Sequence, residues 1–332
     1  MTATKDCTKQ RIAVLGLGLI GGSLALRAIA AGYEVVGWDP NSESMGLAQQ
    51  AGVTPAHDAT TAVAGADIVF MCGPLKTLAE TARIIASHVA PNAIISDVGS
   101  VKGAVRAAIV AAGLGAQYVG AHPMSGTESA GFTAAHPDLL VGATWAVSVA
   151  ADTDRDRLVS LTRLLTHVFG AKIAFLTDQV HDGAAALISH VPHVLAHALL
   201  GLATTSGAPV AQRLAAGSFR DGTRVASLNP GRNQAMIEDN AGAVVAALGD
   251  LITDLESLKQ SLAADPQDLG AQGIRAGFFG RTTWPELAVS TRKTIGIAGP
   301  TWREQLTTLG AAGGLVRAIE TADPGMLSLR LA

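Results

Sequence analysis

Through the first half of the chain, short β-branched apolar runs alternate with longer amphipathic stretches. The runs Arg11–Leu15, Glu34–Trp38, Asp67–Cys72, Ala93–Ser96, Tyr118–Val119, Thr144–Val149 and Lys172–Leu176 predict strands. Between them, Gly22–Ala31, Lys76–His88 and Asp154–Phe169 carry the 3.6-residue spacing of helices. Apolar residues within a run are consecutive rather than alternating, as expected of strands covered on both faces. The order predicts an α/β fold built on a doubly wound parallel sheet.

After Leu176 the period changes. From Thr177 to about Ala264 no strand pattern appears, and the segments read as long helices rich in Ala, Leu and Val, with Thr177, Ser218 and Asp221 as candidate caps and Pro230-Gly231 as a break. These patterns predict a parallel-sheet domain over 1–175, an all-helical domain over 176–264 and a small appended element over 265–332. The last contains Trp284, Trp302 and a weak apolar pattern at Leu309–Ile319. The stretch Ala184–Ala203 is long enough to cross a membrane but carries His190, His193, His197 and Pro192, so a buried interface helix is the better reading. Helical domains of this composition often pair across a two-fold axis, which makes a homodimer the expectation.

Composition narrows the classes. Charged residues are 15% of the chain, the net charge is −3 and no basic run stands out, so nothing points to nucleic acid. Two cysteines, Cys7 and Cys72, make no disulfide framework, and the polar start Met1–Gln10 has no apolar core of a signal peptide; a cytoplasmic protein is expected.

The first chemistry-bearing motif is Gly16-Leu17-Gly18-Leu19-Ile20-Gly21, set between the strand Ile12–Leu15 and a helix that opens at Gly22-Ser23. Gly16 permits a tight turn, Gly18 lets the backbone approach a pyrophosphate, and Gly21 lets helix and strand pack closely. Asp39 ends the second strand, where an acid binds an adenosine ribose diol and repels a 2′-phosphate; no arginine follows in Pro40-Asn41-Ser42. The first domain is therefore read as a Rossmann domain that takes NAD rather than NADP, with Gly16, Gly18, Leu19, Ile20, Gly21 and Asp39 as cofactor contacts.

Further clusters fall near predicted strand ends or in the helical half: Asp97-Val98-Gly99-Ser100-Val101-Lys102, Gly120-Ala121-His122-Pro123-Met124-Ser125-Gly126-Thr127-Glu128, Ser189-His190-Val191-Pro192-His193 and Gly217–Arg224. In order and spacing this set resembles the prephenate/arogenate (cyclohexadienyl) dehydrogenase family of tyrosine biosynthesis, over about Arg11 to Asn240. The segment Leu214–Ala246 looks most like a branch that includes arogenate dehydrogenases.

The resemblance implies hydride transfer from C4 of a cyclohexadienyl acid to NAD, with loss of the 4-hydroxyl proton and departure of the ring carboxylate as CO2. It implies that His122 accepts that proton, that Ser100 orients His122 and the nicotinamide, and that His193 contacts the substrate side chain. Arg224 would grip a carboxylate, with Thr127 and Glu128 at the rim of the site. An imidazole titrating near neutrality and a planar bidentate cation suit the first and fourth of these tasks. His190, His193 and His197 share a helical spacing that mimics a metal site, but no carboxylate or cysteine complements them on that helix, and no metal is expected. Asn229-Pro230-Gly231-Arg232-Asn233 lacks a tryptophan that the family often carries there. The nearest rival, a β-hydroxyacid dehydrogenase, resembles enzymes with a lysine acid/base on the interdomain helix, and no lysine occurs between Lys172 and Lys259. A non-catalytic NAD-sensing protein is the alternative of another class; it predicts loss of His122 or Arg224.

Overall fold

The computed structural model describes residues 10–127, 129–205, 208–227, 230–265, 292–296, 299, 301–323 and 326–331. Cys7, Glu128 and Trp284 lie outside them. The chain divides into two compact units, Met1–Asp182 with Val289–Ala332, and Gly183–Ala288.

The first unit opens with β1 (Arg11–Leu15), α1 (Leu19–Ala30), β2 (Glu34–Trp38), α2 (Ser42–Gln50), β3 (Thr54–Pro55), α3 (Ala59–Val63), β4 (Ile68–Met71), α4 (Leu75–Ile85), β5 (Ile94–Asp97) and α5 (Gly103–Ala111). The five strands of this stretch form a parallel sheet in the order β3-β2-β1-β4-β5. Ile12 and Val14 point into one apolar cluster and Ala13 and Leu15 into another, so both faces of β1 are covered. That double burial explains the unbroken apolar runs.

The later predicted strands do not extend this sheet. Tyr118 makes a single parallel bridge to Ile95, and the chain then enters a second, mixed sheet through β6 (Ala121–Pro123), β7 (Thr144–Ser148) and β8 (Lys172–Leu176). β6 runs antiparallel to β7, and β7 parallel to β8 across α6 (Arg155–Phe169). Asp154 caps α6 by accepting from the Arg157 N–H at 2.9 Å, and Gly170 ends it with φ +59°.

The tail completes this sheet. β9 (Arg292–Gly296), a helix at Thr301–Ala311, β10 (Val316–Asp323) and β11 (Met326–Leu331) give the order β6-β7-β8-β10-β11-β9. Trp302 and Leu306 on the tail helix are buried, and Gly310 lies so close to β8 that a Cβ there would stand 1.9 Å from the Phe175 carbonyl oxygen.

In the second unit every described element is helical: the end of α7 (Asp178–Ala185), a π turn at Ala186–His190, α8 (Val191–Thr205), α9 (Ala208–Leu214), α10 (Gly217–Thr223), α11 (Pro230–Glu238) and α12 (Ala241–Ala264). Ala186, Val191 and Val244 form its small core. Thr177 caps α7 through the Val180 N–H at 3.2 Å. Ser218 and Asp221 do not act as caps: Ala216 precedes α10 and no side chain bonds its first turn.

Candidate active site

Parallel strands bring their carboxyl ends to one edge, and the segments there carry Gly16, Gly18, Gly21, Asp39 and Ser100. Gly16, after β1, has φ +99°, and a Cβ on it would meet the Gly73 nitrogen at 2.6 Å. A Cβ on Gly21 would stand 1.9 Å from the Gly16 carbonyl oxygen, so turn and helix touch backbone to backbone. Gly18 is the opposite case: it is the N-cap of α1, and nothing lies within 4 Å of where its Cβ would be. No side chain caps α1 and no acid occupies its first turn, which leaves the positive end of a 12-residue helix available to an anion. Leu19 is buried and Ile20 half-buried against the core. Asp39 follows β2 and accepts from Leu17 N–H at 2.7 Å and Asn41 N–H at 2.8 Å, which aims its carboxylate back at the turn. An open glycine at an uncapped helix start, with a fixed carboxylate beside it, fits a dinucleotide.

The loop after β5 is pinned by a buried ion pair. Asp97 and Lys102 are 0% and 1% exposed and bond each other directly. The Lys102 ammonium also donates to the Ala121 carbonyl at 2.9 Å, while Asp97 accepts from Tyr118 Oη at 2.8 Å and Gly99 N–H at 2.8 Å. Burial pushes the Lys102 pKa down against the pull of Asp97, and pushes the Tyr118 phenol well up. Lys102, to which the sequence attaches no chemistry, thus ties the Ser100 loop to β6. Arg106 reinforces the same region through Asp178 at 2.5 Å and Ser148 at 2.9 Å.

His122 sits half-buried in the middle of β6, next to Ala121 and so beside the end of β5. Its Nδ1 lies 3.0 Å from Nε2 of His181, and Nδ1 of His181 lies 2.7 Å from Oδ1 of Asp182. Ser100 is half-buried, and no hydrogen bond joins it to His122. Thr127 is exposed and accepts from the Ser129 N–H at 3.3 Å. The residue sequence reasoning missed is His181. Its adjacency to an acid at a helix start is a weak signal, because a His-Asp pair on an exposed helix face looks the same.

Within the second unit, His193 on α8 is 9% exposed; its Nδ1 donates to the Ser189 carbonyl at 2.8 Å and its Nε2 is buried with no hydrogen-bond partner. His190 is fully buried beside the Asn240 amide at 3.1 Å, and His197 is exposed. The three imidazoles therefore have three different surroundings. Among the described residues no group of three or more His, Cys, Asp or Glu is arranged to hold a metal ion. Arg224 is exposed and opens a short 3-10 turn, Arg224–Ser227.

Comparison with known proteins agrees with this arrangement of elements. The family model for the nucleotide-binding domain of prephenate dehydrogenase matches residues 23–175, and that for its dimerisation domain matches 177–272. The chain is 31% identical to a cyclohexadienyl dehydrogenase of Zymomonas mobilis over 78% of this chain and 90% of that one. It is 30% identical to a prephenate dehydrogenase of Bacillus subtilis over 76% and 70%. The crystal structure of an arogenate dehydrogenase from Synechocystis superposes with a TM-score of 0.73 at 29% identity, covering 83% of this chain and 100% of that chain. A nucleotide-binding half, a helical half and relatives matched through both have one explanation: the chain belongs to the prephenate dehydrogenase family.

Proposed function

We propose that this protein oxidatively decarboxylates prephenate, L-arogenate or both with NAD, giving 4-hydroxyphenylpyruvate or L-tyrosine. The observation that carries the reading is His122, a half-buried imidazole beside the end of β5 and tied to an acid through a second imidazole. The reading gives cofactor binding to residues 1–175 and substrate and subunit contacts to 176–264.

Gly16, Gly18 and Gly21 with the start of α1 would hold the pyrophosphate, and Asp39 the adenosine ribose. Asp39 would repel a 2′-phosphate, which favours NAD over NADP. Bound there, NAD supplies the hydride acceptor. His122 takes the 4-hydroxyl proton as negative charge builds on that oxygen. Arg224 holds a substrate carboxylate, His193 meets the side chain, and Ser100, Thr127 and Glu128 complete the orientation of the substrate. Loss of CO2 restores aromaticity and makes the step essentially irreversible.

The exposed apolar residues Leu187, Ile188, Leu202, Val210, Leu214 and Val245 support a homodimer formed through the helical unit. One described helix, Asp178–Thr205, is long and apolar enough to cross a membrane, and a second copy covering it accounts for the same surface. A cytoplasmic location accords with small-molecule biosynthesis.

The test is NADH formation with each acid, side by side. His122→Asn should keep NAD binding and lower turnover roughly 10²- to 10⁴-fold, the usual size of a general-base contribution. Arg224→Ala should raise KM for the substrate. Absence of NADH with both acids refutes the reading, and unchanged turnover in His122→Asn removes His122 from its role.

A further inference from the structure

His122, His181 and Asp182 form an unbroken chain of hydrogen bonds from a strand to a helix start. The two rings meet edge-on, with centroids 5.2 Å apart and planes at 70°. His181 is 3% exposed and Asp182 9%. Asp182 also accepts from the Lys102 N–H at 2.7 Å and the Gly103 N–H at 2.8 Å, so it is braced by the loop that carries Ser100. We propose that His181 and Asp182 are positioning residues that fix the tautomer of His122 and stabilise its protonated form, an inference that rests on His122 being the base of the reading above.

The protons follow from the acceptor at the end of the chain. Burial would raise the Asp182 pKa, but hydrogen bonds from His181, Lys102 and Gly103 lower it on balance. An ionised carboxylate only accepts, so Nδ1 of His181 carries its proton. Carrying only that proton, His181 would offer a lone pair at Nε2, to which Nδ1 of His122 donates. The basic nitrogen of His122 is therefore Nε2, the one directed away from the pair. When Nε2 takes up a proton, the imidazolium still donates through Nδ1 toward a ring anchored on a carboxylate. No proton has to leave the chain, and the charge is shared along it.

The neighbouring charges are largely matched. Lys102 pairs with Asp97, and Arg106 on α5 pairs with Asp178 on α7 and with Asp152. Tyr118, beneath Arg106, is held neutral. Among the described residues, the carboxylate bonded to this pair of imidazoles is Asp182, through His181.

Two substitutions separate positioning from packing. In His181→Gln the amide oxygen accepts from His122 Nδ1 and the amide N–H donates to Asp182, so both bonds survive. In His181→Leu neither does. The leucine variant should lose roughly 10- to 100-fold in kcat with little change in KM, a part of the general-base contribution. The acid limb of its kcat/KM profile should move to lower pH, because the imidazolium has lost its support. The glutamine variant should recover most of both. Histidine-labelled wild-type enzyme should show, by 15N NMR above the His122 pKa, a proton on Nδ1 and none on Nε2.

A leucine variant with unchanged kcat and pH profile overturns the proposal. So does a folded glutamine variant as impaired as the leucine one, or a wild-type spectrum with the proton on Nε2. Should the leucine variant fail to fold, the glutamine variant and the wild-type spectrum decide the matter. The spectrum needs no substrate, so an enzyme inactive on both acids would refute the proposed function while the tautomer still tests the pair.

Discussion

Adding one methyl group at Gly18 and at Gly21 should have very unequal effects on stability, although the two residues belong to one turn. At Gly18 the backbone has φ −78° and nothing lies within 4 Å of the new Cβ. Alanine fits without strain and restricts the unfolded chain, a gain of about 0.4–1 kcal/mol, but it is a poorer N-cap than glycine by a similar amount, so Gly18→Ala should leave stability nearly unchanged. The same open space is where a pyrophosphate would meet the backbone. NAD affinity should therefore fall at least ~10-fold, equivalent to ~1.4 kcal/mol. At Gly21 the new Cβ would stand 1.9 Å from the Gly16 carbonyl oxygen and 2.8 Å from Cys72 Cβ. Relief requires α1 to move away from the turn by about an ångström, and overpacking of this kind costs about 1–3 kcal/mol. With about 2–4 °C per kcal/mol in a domain of this size, the fall in Tm should be about 2–12 °C. Thermal melts with and without NAD, together with a titration of NAD binding, read both effects. A Gly18→Ala protein destabilised by more than about 1 kcal/mol, or one that binds NAD equally well, refutes the reasoning. So does a Gly21→Ala protein as stable as wild type.

Three further outcomes are expected. Lys102→Met leaves the Asp97 carboxylate buried without its cation and should cost about 3–5 kcal/mol in urea unfolding, with part recovered by adding Asp97→Asn; a loss below about 1 kcal/mol would show that the pair is not needed. The folded-state pKa of Asp182 lies below that of the unfolded chain, so its contribution is present above the ordinary carboxylate range and is lost as pH falls through the folded value. The stability gap between wild type and Asp182→Asn should accordingly narrow on acidification, and a gap that widens would contradict the sign. Gly310→Val would drive a side chain into the β8 backbone and should destabilise by about 2 kcal/mol or more; an unchanged unfolding midpoint would mean that the tail helix does not rest on Phe175.

The glycine turn, Asp39 and the strands β1, β2 and β8 were legible from the sequence because each is set by local pattern. Turn geometry needs only its own glycines, and a doubly covered strand is a simple apolar run. The second sheet was not legible as a separate layer, because a continuous apolar strand does not say which neighbour it pairs with. β8 finds Val316 by way of Ile173, far along the chain. In β10 a register shift between Val316 and Ala318 puts the buried residues Val316 and Ile319 three apart, which reads as helix rather than strand. The tail helix hides its contact face for a different reason: after Trp302 and Leu306 its third contact is a glycine, and no hydropathy pattern marks it. His181 escaped because its partner, His122, lies 59 residues away.

The return of the tail to β8 also orders events during synthesis. The ribosome makes β6, β7 and β8 first, then more than a hundred residues of other chain, and only then β10, whose pairing with β8 closes that side of the sheet. Until then β8 presents an open row of N–H and C=O groups, the kind of edge on which wrong partners assemble. A protein made at about 5–20 residues per second would hold that edge open for several seconds or longer. The span from Val289 onward is thus the last piece of the first unit to arrive, and its speed of docking sets how long the nascent chain stays exposed to mispairing.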